Sequence, residues 1–222
     1  SLIHTNGNFT SKNLIIENLS YPDLPEFILY GGVNLINSKN IIKNTTILNS
    51  SSEDAINIID SESYIDALFI KDSQSDALDI DSGSLNFGKI SCQNITNDCL
   101  DVSGVNIKGD LLLVKKAGDK GFSAGENSFG SISTINVSDS EIGVAVKDSS
   151  IIKIDKLELK KVKLDITVFN KKLEFGPSKL RIDTTENVYN YLVGKNNELE
   201  ISNKRIFNKL KNAVIKKKLY GN

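Results

Sequence analysis

The chain has 222 residues, of which 39% are hydrophobic and 25% charged, and its formal charge is −1. That is enough for one sizeable core; the composition excludes wholesale disorder, and no stretch approaches the ~20 apolar residues that span a bilayer. The charge is uneven: residues 53–126 carry 14 acidic and 6 basic side chains, residues 201–222 carry seven basic groups and no acid, and an anionic middle argues against nucleic acid as a partner.

The chain opens on Ser1 with no secretory leader in view, so it reads as a processed protein or a piece of a longer one. The only histidine, His4, stands near the start, and Cys92 and Cys99 form no zinc-binding spacing. Two buried thiols are expected at the cysteines, with a small-loop disulfide as the alternative. Residues 13–17, 32–37 and 40–48 read as early, irregular strands.

From Asp54 onward the chain repeats. Residues 54–58, 76–80, 98–102, 120–124 and 142–146 align without a gap, each start 22 residues after the last. One column of this alignment is Ile56, Leu78, Leu100, Phe122 and Val144; another, two residues on, is Ile58, Ile80, Val102, Ala124 and Val146. Strand side chains alternate between faces, so both columns point into one interior, and Asn57, Asp79, Asp101, Ser123 and Ala145 between them point outward. A period near 22 is too short for two helices per repeat and fits a β-solenoid, in which each coil hydrogen-bonds to the next. Further strand signals lie at 64–70, 85–92, 105–114, 132–137 and 151–159, and the last coils at 164–175 and 180–183. A β-sandwich is the competing all-β fold, but it gives no reason for five ungapped repeats.

After residue 183 the texture changes. Thr184 or Thr185 can cap a short helix running to Leu192 and ended by Gly194. Ser202 opens a second helical run with Ile206, Phe207, Leu210 and Val214 on one face. The sequence therefore divides into a parallel β-helix at 1–183 and a helical extension at 184–222, read as a cap on the open end of the stack. Contact with a membrane surface or a partner is the rival use of such a basic helix.

In-register coils turn like residues into lines. Asp79 and Asp101 share an outward position, and Asp54, Asp76 and Asp98 form a second line that Lys120 continues. Two carboxylates ~5 Å apart repel by roughly 3 kcal/mol at an effective dielectric of 20, so the sequence needs a remedy: a lysine, Ca2+, a shared proton or a cationic ligand. Ala55, Ala77, Cys99, Gly121 and Gly143 form a line of small residues, either the floor of a trough or a tight corner. Asp79, Asp81, Asp98, Asp101, Lys120, Ser123, Glu126, Lys147 and Asp148 can share one side of the solenoid, although Asp, Asn and Ser are also ordinary corner residues.

The blocks DALDID (76–81), NDCLDVSG (97–104), GDKGFSAGE (118–126) and VAVKDS (144–149) resemble a bacterial subgroup of right-handed single-stranded parallel β-helix repeat proteins in the pectin-lyase-like superfamily, over about residues 30–180. The resemblance implies a secreted, periplasmic or cell-surface protein that acts on or binds acidic polysaccharide or another surface glycan. The His-Gly and Arg-Ile-Lys motifs of polygalacturonase-like hydrolases and the Asp-Pro-His motif of mannuronan epimerases are missing. Only the pectate-lyase plan is compatible: Asp79, Asp81 and Asp101 would hold Ca2+, and Lys120 or Lys147 would take the proton. Asp76, Asp98, Ser123 and Asp148 would then contact the sugar. A hydrolase using Asp101 and Glu126 is the variant within the enzyme class. A base lysine needs its pKa lowered, whereas neighbouring carboxylates raise it. The non-enzyme expectation is a rigid structural or glycan-binding module whose acids pair internally with Lys120 and Lys147.

Overall fold

The computed structural model describes residues 1–21, 29–186, 188, 190–206 and 210–221. The chain is a parallel β-solenoid of about 8 turns with coils of about 22 residues. Four long strands form the first coils: β1 (Leu2–Leu19), β2 (Gly31–Ser50), β3 (Asp54–Ser73) and β4 (Asp76–Ile95). β5 (Leu100–Ala117) is followed by shorter pieces: β6 (Lys120–Gly125), β7 (Phe129–Ser138), β8 (Ile142–Lys147), β9 (Ile151–Lys160) and β10 (Leu164–Phe169). β11 (Lys179–Thr185), β12 (Tyr191–Val193), β13 (Glu198–Ile201) and β14 (Lys204–Ile206) complete the ladder.

The repeat period is the ladder register. Asp79 pairs with Asn57 on one side and Asp101 on the other, and the line continues through Ser123, Ala145 and Thr167 to Leu192. Ile58, Ile80, Val102, Ala124, Val146 and Val168 lie fully buried along one interior line, as strand alternation requires. The long strands bend where residues adopt left-handed backbone, among them Asn49, Asp60, Asp72, Ser82 and Asn94. Asn and Asp tolerate that conformation, and some link coil to coil there: the Asn94 amide donates to Asp72 Oδ1 at 2.5 Å, and the Asn44 amide to Asn13 Oδ1 at 2.8 Å.

The line of small residues is a corner. Ala55, Ala77 and Cys99 are fully buried in the core. A Cβ at Gly121 would come within 2.7 Å of Val137 Cγ2 and 2.8 Å of the Gly143 carbonyl oxygen, so no side chain fits there. At this corner Cys99 is disulfide-bonded to Cys92, with Cα atoms 5.8 Å apart. The expected pair of free thiols is thus corrected: in-register stacking carries Cys99 to the interior beside Cys92.

The C-terminal region departs most from expectation. Thr184 and Thr185 end strand β11, and the described residues from there to Leu192 are not helical, because coil stacking continues past residue 183 into β12 and β13. The end of the stack is closed by β14, a three-residue strand antiparallel to β13 that carries Lys204 and Arg205; short charged edges resist further pairing. The single helix among the described residues, α1 (Asn212–Tyr220), begins ten residues after Ser202. Ile206 lies in β14 and Val214 is exposed, while Phe207 falls outside the described residues. Ile215 is the one buried residue of α1. At its start, Asn212 Oδ1 accepts from the Asn170 backbone N–H at 3.2 Å and the Asn197 amide at 3.3 Å. At its end, the Tyr220 ring packs against Phe169, with centroids 6.5 Å apart. The helix therefore runs back along the side of the stack, over the fully buried outward row Ser123, Ala145 and Thr167. The short C-terminal helix expected from the sequence is thus present, lying along the flank of the coils.

The disulfide closes a loop of seven residue steps, which chain-entropy arguments rate at about 2–3 kcal/mol. Urea unfolding with and without reductant is expected to show a loss of that size for the reduced protein, with the far-UV β-signal retained. A reduced protein of unchanged midpoint would mean that the two sulfurs are not bonded.

Candidate functional site

The outward row and the corner line meet on one side of the solenoid, at the free end of α1. The corner residues accept hydrogen bonds in sequence: Asp76 Oδ1 from the Asp98 backbone N–H at 2.7 Å, and Asp98 Oδ1 from the Lys120 backbone N–H at 2.8 Å. Asp54 Oδ2 accepts from the Asn57 amide at 2.7 Å. Each aspartate thus ties its own coil to a neighbouring group, the role that small polar residues play at corners.

Lys120 and Lys147, the two expected bases, are buried at 3% and 6% exposure. Lys120 Nζ lies 3.3 Å from Asp98 Oδ2 and also contacts the Asp119 carboxylate. Lys147 crosses over Gly125 to Asp101 on the coil beyond, placing Nζ 3.7 Å from Asp101 Oδ2. A Cβ at Gly125 would stand 3.0 Å from the Lys147 Cε, so glycine there leaves a channel for this side chain. Burial is the largest single influence and works to lower both ammonium pKa values, but the surrounding groups together, Asp98, Tyr220 and Asp119 around Lys120 and Asp101, Tyr220 and Asp98 around Lys147, hold both above the ordinary lysine value.

Four residues that the repeat pattern did not single out complete this end of the site. Asp119 joins Lys120. Lys171 places its ammonium 4.8 Å from the Tyr220 ring centroid, and Lys120 places its own at 5.7 Å, both cation–π contacts. Burial, with Lys147 and Lys120 nearby, lowers the pKa of Lys171. Lys172 pairs with Glu126, which occupies a left-handed corner. The expected contact residue Asp148 is buried, and its Oδ1 accepts the backbone N–H groups of Lys171 and Lys172 at 2.6 and 2.9 Å. Ser123 is fully buried, with no partner for its hydroxyl among the described residues. Lys171 could have been flagged by its position one coil after Asp148. Tyr220 had no such signal, because α1 is outside the repeat.

On the other side of Asp101 the acids have no such support. Burial raises the carboxyl of Asp79 to about 9, and Asp101, Asp54, Asp81 and Asp76 add to it. Burial likewise lifts Asp76 to about 7, against a hydrogen bond from Asp98, and Asp54 to about 6, against one from Asn57. Asp81 is exposed but also raised, by partial burial and then by Asp101 and Glu126. The site is thus polarised along the solenoid axis: crowded carboxyls over β3 and β4, then a carboxylate–ammonium network over β5 to β10 under the end of α1.

A Ca2+ ion takes six to eight converging oxygens. Among the described residues no group of three or more His, Cys, Asp or Glu side chains is placed to hold a metal ion, and Asp101 Oδ2 already faces the Lys147 ammonium. As arranged, Asp79, Asp81 and Asp101 do not fit such a site. The chain matches no known family model, and no curated protein or solved structure is similar to it.

Raised carboxyl pKa values fix the sign of a pH dependence. The folded state holds these protons more tightly than the unfolded chain, whose aspartates titrate near ~4. Stability is therefore full at low pH and falls as pH climbs through the folded values of about 6, 7 and 9 for Asp54, Asp76 and Asp79. Urea unfolding at pH 5.5, 7 and 9 should show this decline. Asp79→Asn should flatten it and add about 1–3 kcal/mol at pH 9, the scale of an unsatisfied buried polar group. A wild-type profile that rises with pH would contradict the crowding of this row.

Proposed function

We propose that this chain is a non-catalytic β-helix module of a larger surface protein, one that presents a rigid glycan-binding face. The observation that carries the reading is the state of Lys120 and Lys147: both are buried, and both are engaged with aspartates. Proton abstraction next to a sugar carboxylate needs an amine that is free and exposed to the substrate, with a pKa near the working pH. These two ammonium groups are held above their ordinary value instead. Lys171 is shifted the other way, but its cation–π contact with Tyr220 favours the charged form.

The pectin-lyase-like kinship belongs to the proposal, on the strength of the 22-residue repeat and the stacked coils. A location outside the cytosol is part of it too. The Cys92–Cys99 disulfide supports that placement, since such bonds persist in oxidising compartments. In this reading the acid–lysine network braces the coils and seats the end of α1.

Two measurements test the proposal together. On polygalacturonate, alginate and glycosaminoglycan substrates with Ca2+, no absorbance of unsaturated uronate ends is expected, and product on any of them would overturn the reading. Lys120→Met should cost about 3–5 kcal/mol in urea unfolding, because Asp98 is left buried and uncompensated. Adding Asp98→Asn should recover part of that loss. A Lys120→Met protein as stable as the wild type would show that the network braces nothing.

A further inference from the structure

A second face of the solenoid carries a cleft of 670 Å3, away from the acid–lysine network. Its floor is one outward row across five coils, Phe69, Ser91, Leu113, Asn136 and Glu158, held in register by the ladder. Four steps of ~4.8 Å make this row about 19 Å long, so it is elongated along the solenoid axis. Phe69 and Leu113 are half-buried apolar groups, and between and beyond them stand Ser91 and Asn136. Ser91 Oγ and Asn136 Oδ1 are buried and have no hydrogen-bond partner among the described residues. A parallel row runs through Gln93, Lys115, Ser138 and Lys160, and charges of both signs border the cleft, with Glu158 paired to Lys156.

We infer that this cleft is the ligand face, and that its ligand is a neutral oligosaccharide lying along the solenoid axis. The inference rests on the binding-module reading above and adds the site and the ligand class. Three features select that class. Apolar side chains alternate with amide and hydroxyl groups along the row, which suits a chain whose ring faces are apolar and whose edges are hydroxyls. Charges of both signs are interspersed around the cleft, so no single-sign channel is built for a polyanion or a polycation. The backbone N–H and C=O groups of the floor are committed to pairing between coils, so an extended peptide cannot add as a strand here and only side chains remain to recognise a ligand.

The test is a titration of the 15N-labelled chain with cellohexaose, maltohexaose and N-acetylchitohexaose, with hexagalacturonate as the charged comparison. At least one neutral hexamer should shift amide resonances of residues 69, 91, 113 and 136. Phe69→Ala should weaken that binding about tenfold or more, one hot-spot contact's worth. Gln93→Ala, at the rim of the cleft, should weaken it with no change in Tm, which guards against a Phe69→Ala protein that folds poorly. Three results would overturn the assignment: no binding by any neutral hexamer, binding that both substitutions leave unchanged, or hexagalacturonate binding as tightly as the neutral probes. Hexamer shifts confined to the Asp79 face would retire the cleft and leave the module reading standing. Release of unsaturated uronate would retire the module reading without touching the cleft.

Discussion

Every feature of this protein follows from one constraint: each coil must hydrogen-bond to the coil beside it in fixed register. The backbone can satisfy its polar groups only if residues 22 or 23 apart stay aligned, as Asp79 does with Asp101 and Ile107 with Gly130. Alignment then decides what each side chain meets. Apolar columns fuse into one continuous core, and like polar residues are forced into contact whether or not their charges agree. The crowding of Asp54, Asp76 and Asp79 is a direct result, and it adds to the burial that is the main cause of their raised carboxyl pKa values.

The same register explains how the tension is contained. Beyond Asp101 the outward row changes from acid to Ser123, Ala145 and Thr167, and the corner line changes from Asp98 to Lys120. Lysines then reach backward along the axis, Lys120 to Asp98 and Lys147 over Gly125 to Asp101, placing positive charge against the last acids of each line. Buried ion pairs add little net stability compared with well-packed apolar groups, yet losing one partner is costly. Such a network suits the joining of successive coils better than it suits chemistry that must gain and lose protons.

Much of this was legible in the chain because a periodic fold writes its contacts at a fixed spacing. The columns of Ile58 and Ile80, the pairing of Asp79 with Asp101 and the line from Asp98 to Lys120 all follow from counting residues. What escaped is what the period does not govern. The Cys92–Cys99 bond crosses an interior corner between two sides of the coil, and counting along one column does not show that the two sulfurs converge. Thr184, Thr185 and Leu192 have helix-compatible composition, but the unpaired edge of the preceding coil offers hydrogen bonds that override local propensity. Tyr220 reaches Lys120 and Lys171 through a helix outside the repeat, so no spacing rule could place it.

The position of that helix was nevertheless encoded, in the residues beneath it. Outward positions on a solenoid are free to carry large or charged groups unless something lies on them. Ser123, Ala145 and Thr167 are small and fully buried although their column faces out, whereas Asp79 and Asp101 in the same column remain partly exposed. The step from acid to small residues marks the edge of the ground that α1 covers, near the point where the Tyr220 ring meets Lys120. The Phe69 row on the other face shows no such step: Phe69, Leu113 and Glu158 stay large, and Asn136 Oδ1 has no hydrogen-bond partner among the described residues. One stack thus carries two outward faces in different states, one closed by its own chain and one left as an open cleft.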